Sequence, residues 1–206
     1  METIILASDS PRRKEYFRLL GLPFKAIPSP VEEIMDISKD AKTITRELAT
    51  TKVDSVKKLL TGQEAWIIGA DTLISLEGHI FGKPKARQDA LEMLLALSGH
   101  THEVISSIAL FNCHNNLTDC RSSTSLVRFA LLNEEEVEWY LDTGEWENVA
   151  GAYKIQGLAA CFIEEIQGSY SGIVGLPLHL LYAMLKDNGY PWGVTEFSTD
   201  RPVCAG

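Results

Sequence analysis

The chain has 206 residues, of which 45% are hydrophobic and 23% charged, and a formal net charge of −9. A chain of this size buries about 70% of its unfolded surface, and the composition excludes disorder and a disulfide scaffold. The acidic balance weighs against long nucleic acid, which needs many basic contacts, yet permits a small anion held by a local group of Lys and Arg.

The amino terminus carries an apolar stretch too short for a signal peptide, with no basic residue before it. No apolar run reaches the ~18–20 residues of a membrane-spanning helix. Cys113, Cys120, Cys161 and Cys204 form no Cys-x-x-Cys pair. A soluble cytoplasmic protein in reducing surroundings, with no membrane association, is expected.

Residues 3–7 predict a buried strand, stopped by Ser8-Asp9-Ser10-Pro11. A helix follows, with Ser10 as N-cap, Pro11 in its first turn, Tyr16, Phe17, Leu19 and Leu20 along one side, and Gly21 as its stop. Residues 23–27 predict a second strand and 43–60 a longer helix, with Ile44, Leu48, Val53, Val56 and Leu60 inward. Residues 65–70 read as a buried strand, and 73–76 pair with 79–81 across a Glu77-Gly78 turn. Residues 87–97 are helical, with Leu91, Leu94 and Leu95 inward, and Ser98-Gly99 ends that helix. Strands over 103–111 and 122–131 flank a polar loop.

Asn133, followed by Glu134, Glu135 and Glu136, opens a further helix with acid where its dipole favours acid, so this cluster is read as structural. Residues 159–166 predict a strand and 177–186 a helix, and 191–206 form a tail without periodicity. The alternation predicts an α/β fold with a mixed sheet, as one domain over 1–190.

Ser8-Asp9-Ser10-Pro11-Arg12-Arg13 places two arginines in a first helical turn, where the dipole repels positive charge. A phosphate would use the free N–H groups of that turn, the guanidinium forks and the hydroxyl of Ser8 or Ser10, whereas a surface pairing of one arginine with Glu15 or a nearby carboxylate is the plainer option. Asp71, in Gly69-Ala70-Asp71-Thr72, ends a run that should be buried; it is either a turn residue or a charge held by a partner or metal. Glu32 and Glu33 are either surface acids or oxygen ligands for a hard cation. Lys83, between Gly82 and Pro84, Lys52 on a helix, and Gln156 between glycines are each ambiguous alone.

Other motifs fail on spacing. Gly78 to Pro84 has three residues between its glycines and a Pro where a phosphate-binding loop needs Ser or Thr. Neither Gly-x-Gly-x-x-Gly nor Gly-x-Ser-x-Gly occurs. His100 and His102 lack a third ligand at zinc spacing and read as structural or surface residues, and Trp139, Tyr140 and Leu141 as helix packing.

In chain order, the segments 8–13, 69–72, 82–84, 97–104, 150–157 and 174–178 resemble the Maf family of nucleotide pyrophosphatases. The resemblance spans about residues 3–186 and implies the inosine-triphosphatase-like α/β architecture, an elongated mixed sheet flanked by helices, with two lobes around a central cleft. It implies that Asp71 is catalytic and helps hold a divalent metal (Mg²⁺, Mn²⁺ or Co²⁺) with Glu33. It places Ser8, Arg12, Arg13, Lys52, Thr72, Lys83 and Gln156 against the substrate.

The reaction implied is attack of water on the α-phosphorus of a nucleoside triphosphate. Arg12, Thr72 and Gln156 resemble the branch acting on dTTP and UTP, with modified pyrimidine nucleotides as further substrates. The 7-methyl-GTP branch carries an aromatic residue at the position of Arg12. Lys154 stands where the family is often small, and Ser171-Gly172-Ile173 where Asn-Val is common, so both bear on base preference. A nucleotide-binding regulator of cell division or septum formation, with little turnover, is the alternative, and a phosphomonoesterase is a second. A homodimer is left open.

Overall fold

The computed structural model describes residues 1–32, 34–60 and 64–192. Glu33, and the expected tail from residue 193 onward, lie outside the described residues. In chain order the elements are β1 (Ile4–Leu6), α1 (Pro11–Leu19), β2 (Phe24–Ala26), α2 (Ala41–Leu59), β3 (Trp66–Leu76), β4 (His79–Phe81), α3 (Arg87–Leu97), β5 (Thr101–Asn112), β6 (Leu117–Phe129), α4 (Glu134–Asp142), β7 (Ile163–Gln167), α5 (Tyr170–Val174) and α6 (Leu178–Asp187).

These strands form one mixed seven-stranded sheet in the order β2-β1-β3-β5-β6-β7, with β4 also paired to β3. β1 runs parallel to both β2 and β3, and the remaining pairings are antiparallel. The expectation of a mixed sheet flanked by helices is met. No described helix is long and apolar enough to cross a membrane.

The pairing of β3 creates the site. Along one edge β3 is paired without a break to β5, from Ile67 opposite Phe111 to Ser75 opposite Glu103. Along its other edge β1 covers only Trp66 to Ile68, and β4 covers only Ile74 to Leu76. Because β1 is parallel and β4 antiparallel to β3, their carboxyl ends, Leu6 and Phe81, point toward each other across the uncovered stretch 69–73. The chain leaving β1 and the chain leaving β4 must both turn away there, which opens a crevice at strand ends where the topology switches.

Three groups of apolar side chains support this frame. On one face of β3, Ile67 packs with Ile5, Ala49, Val53, Val56 and Phe111, which seats α2. On the opposite face Ile68 and Ala70 join Phe17 of α1 and Leu181, Met184 and Leu185 of α6. Ile74 and Phe81 belong to a third cluster with Leu94 and Leu97 of α3 and Val137, Tyr140 and Leu141 of α4. Each fully buried Leu, Ile or Phe contributes about 1.5–3 kcal/mol relative to exposure.

Several expectations are corrected. The predicted strands 65–70 and 73–76 are one strand, so Asp71 is a mid-strand residue and not a turn. The first half of the predicted strand 159–166 is instead a short 3₁₀ helix, Leu158–Phe162, and α5 had no counterpart in the sequence reading. Leu19 and Leu95 are 67% and 38% exposed, with Phe17, Ala90 and Leu97 taking the inward positions. Trp139 is half exposed, whereas Tyr140 and Leu141 are buried as expected. The acidic start of α4 is structural: Asn133 and Glu136 form a reciprocal capping box.

Candidate active site

A cleft of about 960 Å³ lies over the uncovered stretch of β3, within the size range of small-molecule sites. It is lined by Ser8, Arg12, Arg13, Lys52, Asp71, Thr72, Lys83 and Gln156. Residues spread over most of the sequence thus share one hollow.

Asp71 and Lys52 form its floor. They are 5% and 8% exposed, and Lys52 Nζ stands 2.6 Å from Asp71 Oδ1 and 3.4 Å from the carbonyl of Ala70. A glycine two residues before the aspartate makes this meeting feasible. A Cβ at Gly69 would lie 2.5 Å from the carbonyl oxygen of Ala49 and 3.2 Å from Cβ of Lys52. Only glycine lets α2 ride this close to β3, and the closeness lets the lysine stem reach along the strand to the carboxylate. Burying two charges is costly, and their direct contact offsets part of that cost.

Arg13 is a strut between elements. Its Nε donates to the carbonyl of Gly175 (2.9 Å), Nη1 to Ser8 Oγ (3.1 Å) and Nη2 to Thr72 Oγ1 (3.4 Å). Ser106 donates its one hydroxyl proton to the carbonyl of Gly172 (2.7 Å), so Thr72 must donate to Ser106 across their 2.7 Å contact. A directed chain therefore runs from Arg13 through Thr72 and Ser106 to α5. Thr72 lies on the opposite face of β3 from Asp71, as successive strand residues must.

Arg12 differs from its neighbour. Its Nε is buried with no hydrogen-bond partner among the described residues, and burial lowers the pKa of its guanidinium. Such a group is costly unless something negative meets it. The first turn of α1 contains no acidic residue, and Ser10 makes no side-chain cap, contrary to the sequence expectation; Ser8 Oγ instead accepts from the N–H of Ser10 at 3.3 Å. The surface pairing of an arginine with Glu15 is not what holds Arg13.

The family model for Maf-like proteins matches residues 3–188 of this sequence. The chain belongs to the Maf family. It is 40% identical over 188 residues to a dTTP/UTP pyrophosphatase of Hydrogenovibrio crunogenus, covering 91% of this chain and 96% of that one. A dTTP/UTP pyrophosphatase of Symbiobacterium thermophilum is 42% identical over 192 residues, covering 93% and 96%. Another from Treponema denticola is 42% identical over 196 residues, covering 90% and 97%.

The far end of this Maf cleft was less visible in sequence. Glu145, Glu147, Asn148, Tyr153 and Lys154 also line it. The backbone N–H of Leu158 donates to Glu145 Oε2 at 2.9 Å, and a Cβ on Gly157 would fall 2.0 Å from that oxygen. The glycine after Gln156 thus makes room for a carboxylate, which only the folded loop reveals. Behind this wall, Tyr153 Oη and buried His102 Nε2 are 2.9 Å apart, and burial pushes the His102 pKa down to about 4. His102 is structural, as expected. Glu33, the second proposed metal ligand, falls outside the described residues.

Proposed function

We propose that this chain hydrolyses the α-β phosphoanhydride of dTTP and UTP, and of modified pyrimidine nucleotides, to the monophosphate and pyrophosphate. The observation that carries this reading is a half-buried guanidinium, Arg12, with an N–H that no described residue meets, in the same crevice as the Lys52–Asp71 pair. That arrangement suits a polyanion beside a carboxylate able to prepare a nucleophile. That the relatives are pyrophosphatases favours turnover over a non-hydrolysing regulator of cell division.

In this reading Arg12, Arg13, Lys52 and Lys83 bind the phosphates, with Ser8 adding a hydroxyl. Asp71 takes a proton from water as the water oxygen bonds to the α-phosphorus, and the bond to the bridging oxygen breaks, releasing pyrophosphate. Lys52 holds the Asp71 carboxylate in place through its 2.6 Å contact. Thr72 and Gln156 bear on base selection, and Lys154 and Ile173 also line the cleft.

The donor set fits a hard divalent cation, because such ions are commonly held by one or two carboxylates together with substrate phosphates. Asp71, and Glu33 as a second ligand, would hold Mg²⁺, Mn²⁺ or Co²⁺. When bound, the ion supplies Lewis-acid neutralisation of phosphate charge. The cytoplasm, where nucleoside triphosphates and Mg²⁺ meet, is the compartment this activity suits.

The test is product analysis on a panel of triphosphates with Mg²⁺. Pyrophosphate and UMP or dTMP in equal amounts are expected. Orthophosphate alone would indicate a phosphomonoesterase, and tight binding without product would restore the regulator.

A further inference from the structure

A second cluster of metal-binding side chains lies outside the cleft, at the turn between β5 and β6. Glu2, Cys113 and His114 each present a donor atom, and all three atoms lie within 4.8 Å of one another. We propose that Glu2, Cys113 and His114 form a zinc site that fastens the amino terminus to the β5–β6 turn.

The donor chemistry is the first support. A thiolate, an imidazole and a carboxylate are the three side-chain types that zinc takes, whereas Mg²⁺ avoids sulfur and prefers oxygen alone. Geometry is the second. His114 Nε2 lies 3.3 and 3.1 Å from Glu2 Oε1 and Oε2. Zinc bonds of about 2.0–2.2 Å to nitrogen and oxygen at a tetrahedral angle put those two donors roughly 3.3–3.5 Å apart, close to the observed spacing, and Cys113 Sγ lies within 4.8 Å of both.

The surroundings hold the ligands ready. Asn112 Oδ1 accepts from the backbone N–H of His114 at 2.9 Å, and Asn112 Nδ2 donates to the carbonyl of Asn188 at 2.9 Å, which fixes the turn to the end of α6. Trp66 Nε1 donates to Glu2 Oε2 at 2.7 Å, and the indole meets the His114 ring edge-on with centroids 5.6 Å apart. Tyr190 Oη donates to the backbone carbonyl of Glu2. These contacts orient the carboxylate and the imidazole as outer-shell partners do at metal sites. Cys113 is half-buried. Metal binding would release its thiol proton to solvent.

The site is independent of the proposed hydrolysis. It is tested on the full chain with excess Mg²⁺ present to occupy the cleft, using Cd²⁺ as the probe for its cadmium–thiolate ultraviolet band and Zn²⁺ for thermal stability. One equivalent of Cd²⁺ should produce the band in the parent and in Asp71→Asn. His114→Ala should weaken Cd²⁺ affinity at least tenfold, Cys113→Ser should abolish the band, and Zn²⁺ should raise the thermal midpoint of the parent but not of His114→Ala or Cys113→Ser. A band that persists in Cys113→Ser, affinity within threefold in His114→Ala, or no band in the parent would overturn the proposal and leave Glu2–His114 as a plain hydrogen-bonded pair. His114 is exposed, so its variant remains informative if Cys113→Ser fails to fold.

Discussion

The two ends of the cleft are built differently. At the β3 end the polar groups hold one another: Lys52 grips Asp71, and Arg13 ties Ser8, Thr72 and the carbonyl of Gly175 together. At the other end the lining comes from irregular chain around 145–157, where Asn148, Gly151 and Ala152 all adopt left-handed backbone (φ 59°, 64° and 61°). A site on strands and helices places reacting groups more firmly than one on loops, while loops can vary without disturbing the frame. The strand end suits chemistry on a phosphate shared by every nucleotide, with Thr72 at its margin bearing on the base; the loop end suits recognition of the base.

Substitutions at the two ends should therefore fail in different ways. The largest effect is expected at the strand end, where Asp71→Asn should lower turnover at least ~10²-fold with the folded state retained. Steady-state kinetics beside circular dichroism check this, and turnover within threefold of the parent would remove Asp71 from the chemistry.

Next in size is a pH effect on the scaffold behind the loop end. His102 is held neutral in the fold with its pKa at about 4, below the ordinary value of 6.5, so between those values the unfolded chain binds the extra proton. Stability from this residue is complete above about pH 6.5 and is lost as pH falls toward 4, roughly 2 kcal/mol of it between pH 7 and pH 5. Urea midpoints at those two pH values should differ less in His102→Asn than in the parent. Equal differences would mean that His102 is protonated in the folded state.

Arg12→Ala should lower kcat/KM by ~10-fold or more through weaker capture of the triphosphate, because it removes charge-assisted hydrogen bonds to phosphate. The thermal midpoint should hold or rise, since an unmet buried N–H is lost with the side chain. A fall in stability without a change in kinetics would instead mark Arg12 as a structural residue. The smallest effect belongs to Gln156→Ala, expected to change the ratio of UTP to CTP hydrolysis by less than ~10-fold with little change in turnover on the better substrate. A collapse of turnover there would erase the division between the two ends.

Much of the strand end was legible before the fold was known, because its signals are local. Two arginines against a helix dipole and a carboxylate inside an apolar run stand within short segments, whereas the role of Gly69 shows only in the packing of α2 on β3. What sequence missed was tertiary. Asp71-Thr72 reads as a break because an aspartate is disfavoured in strands, yet β5 supplies unbroken backbone pairing and Lys52 supplies the countercharge, so the strand continues.

The short α5 has too few residues for a periodic pattern and is set by its cap, Ser169 Oγ accepting from the N–H of Gly172 at 3.0 Å. The stretch 158–162 has the composition of a strand but begins where Glu145 holds the N–H of Leu158, which turns the chain into a 3₁₀ helix first. Glu145 itself gave no signal, since a glutamate in a polar loop is ordinary until the loop folds over a cleft.

The most direct test of the account is where the water oxygen goes. Hydrolysis of UTP by the parent protein in water labelled with heavy oxygen, followed by mass spectrometry of both products, reads the atom attacked. Attack at the α-phosphorus puts the label in UMP and leaves the pyrophosphate unlabelled, as predicted here. Label in the pyrophosphate would mean attack at the β-phosphorus and would contradict the placement of Asp71 and its water beside the α-phosphate.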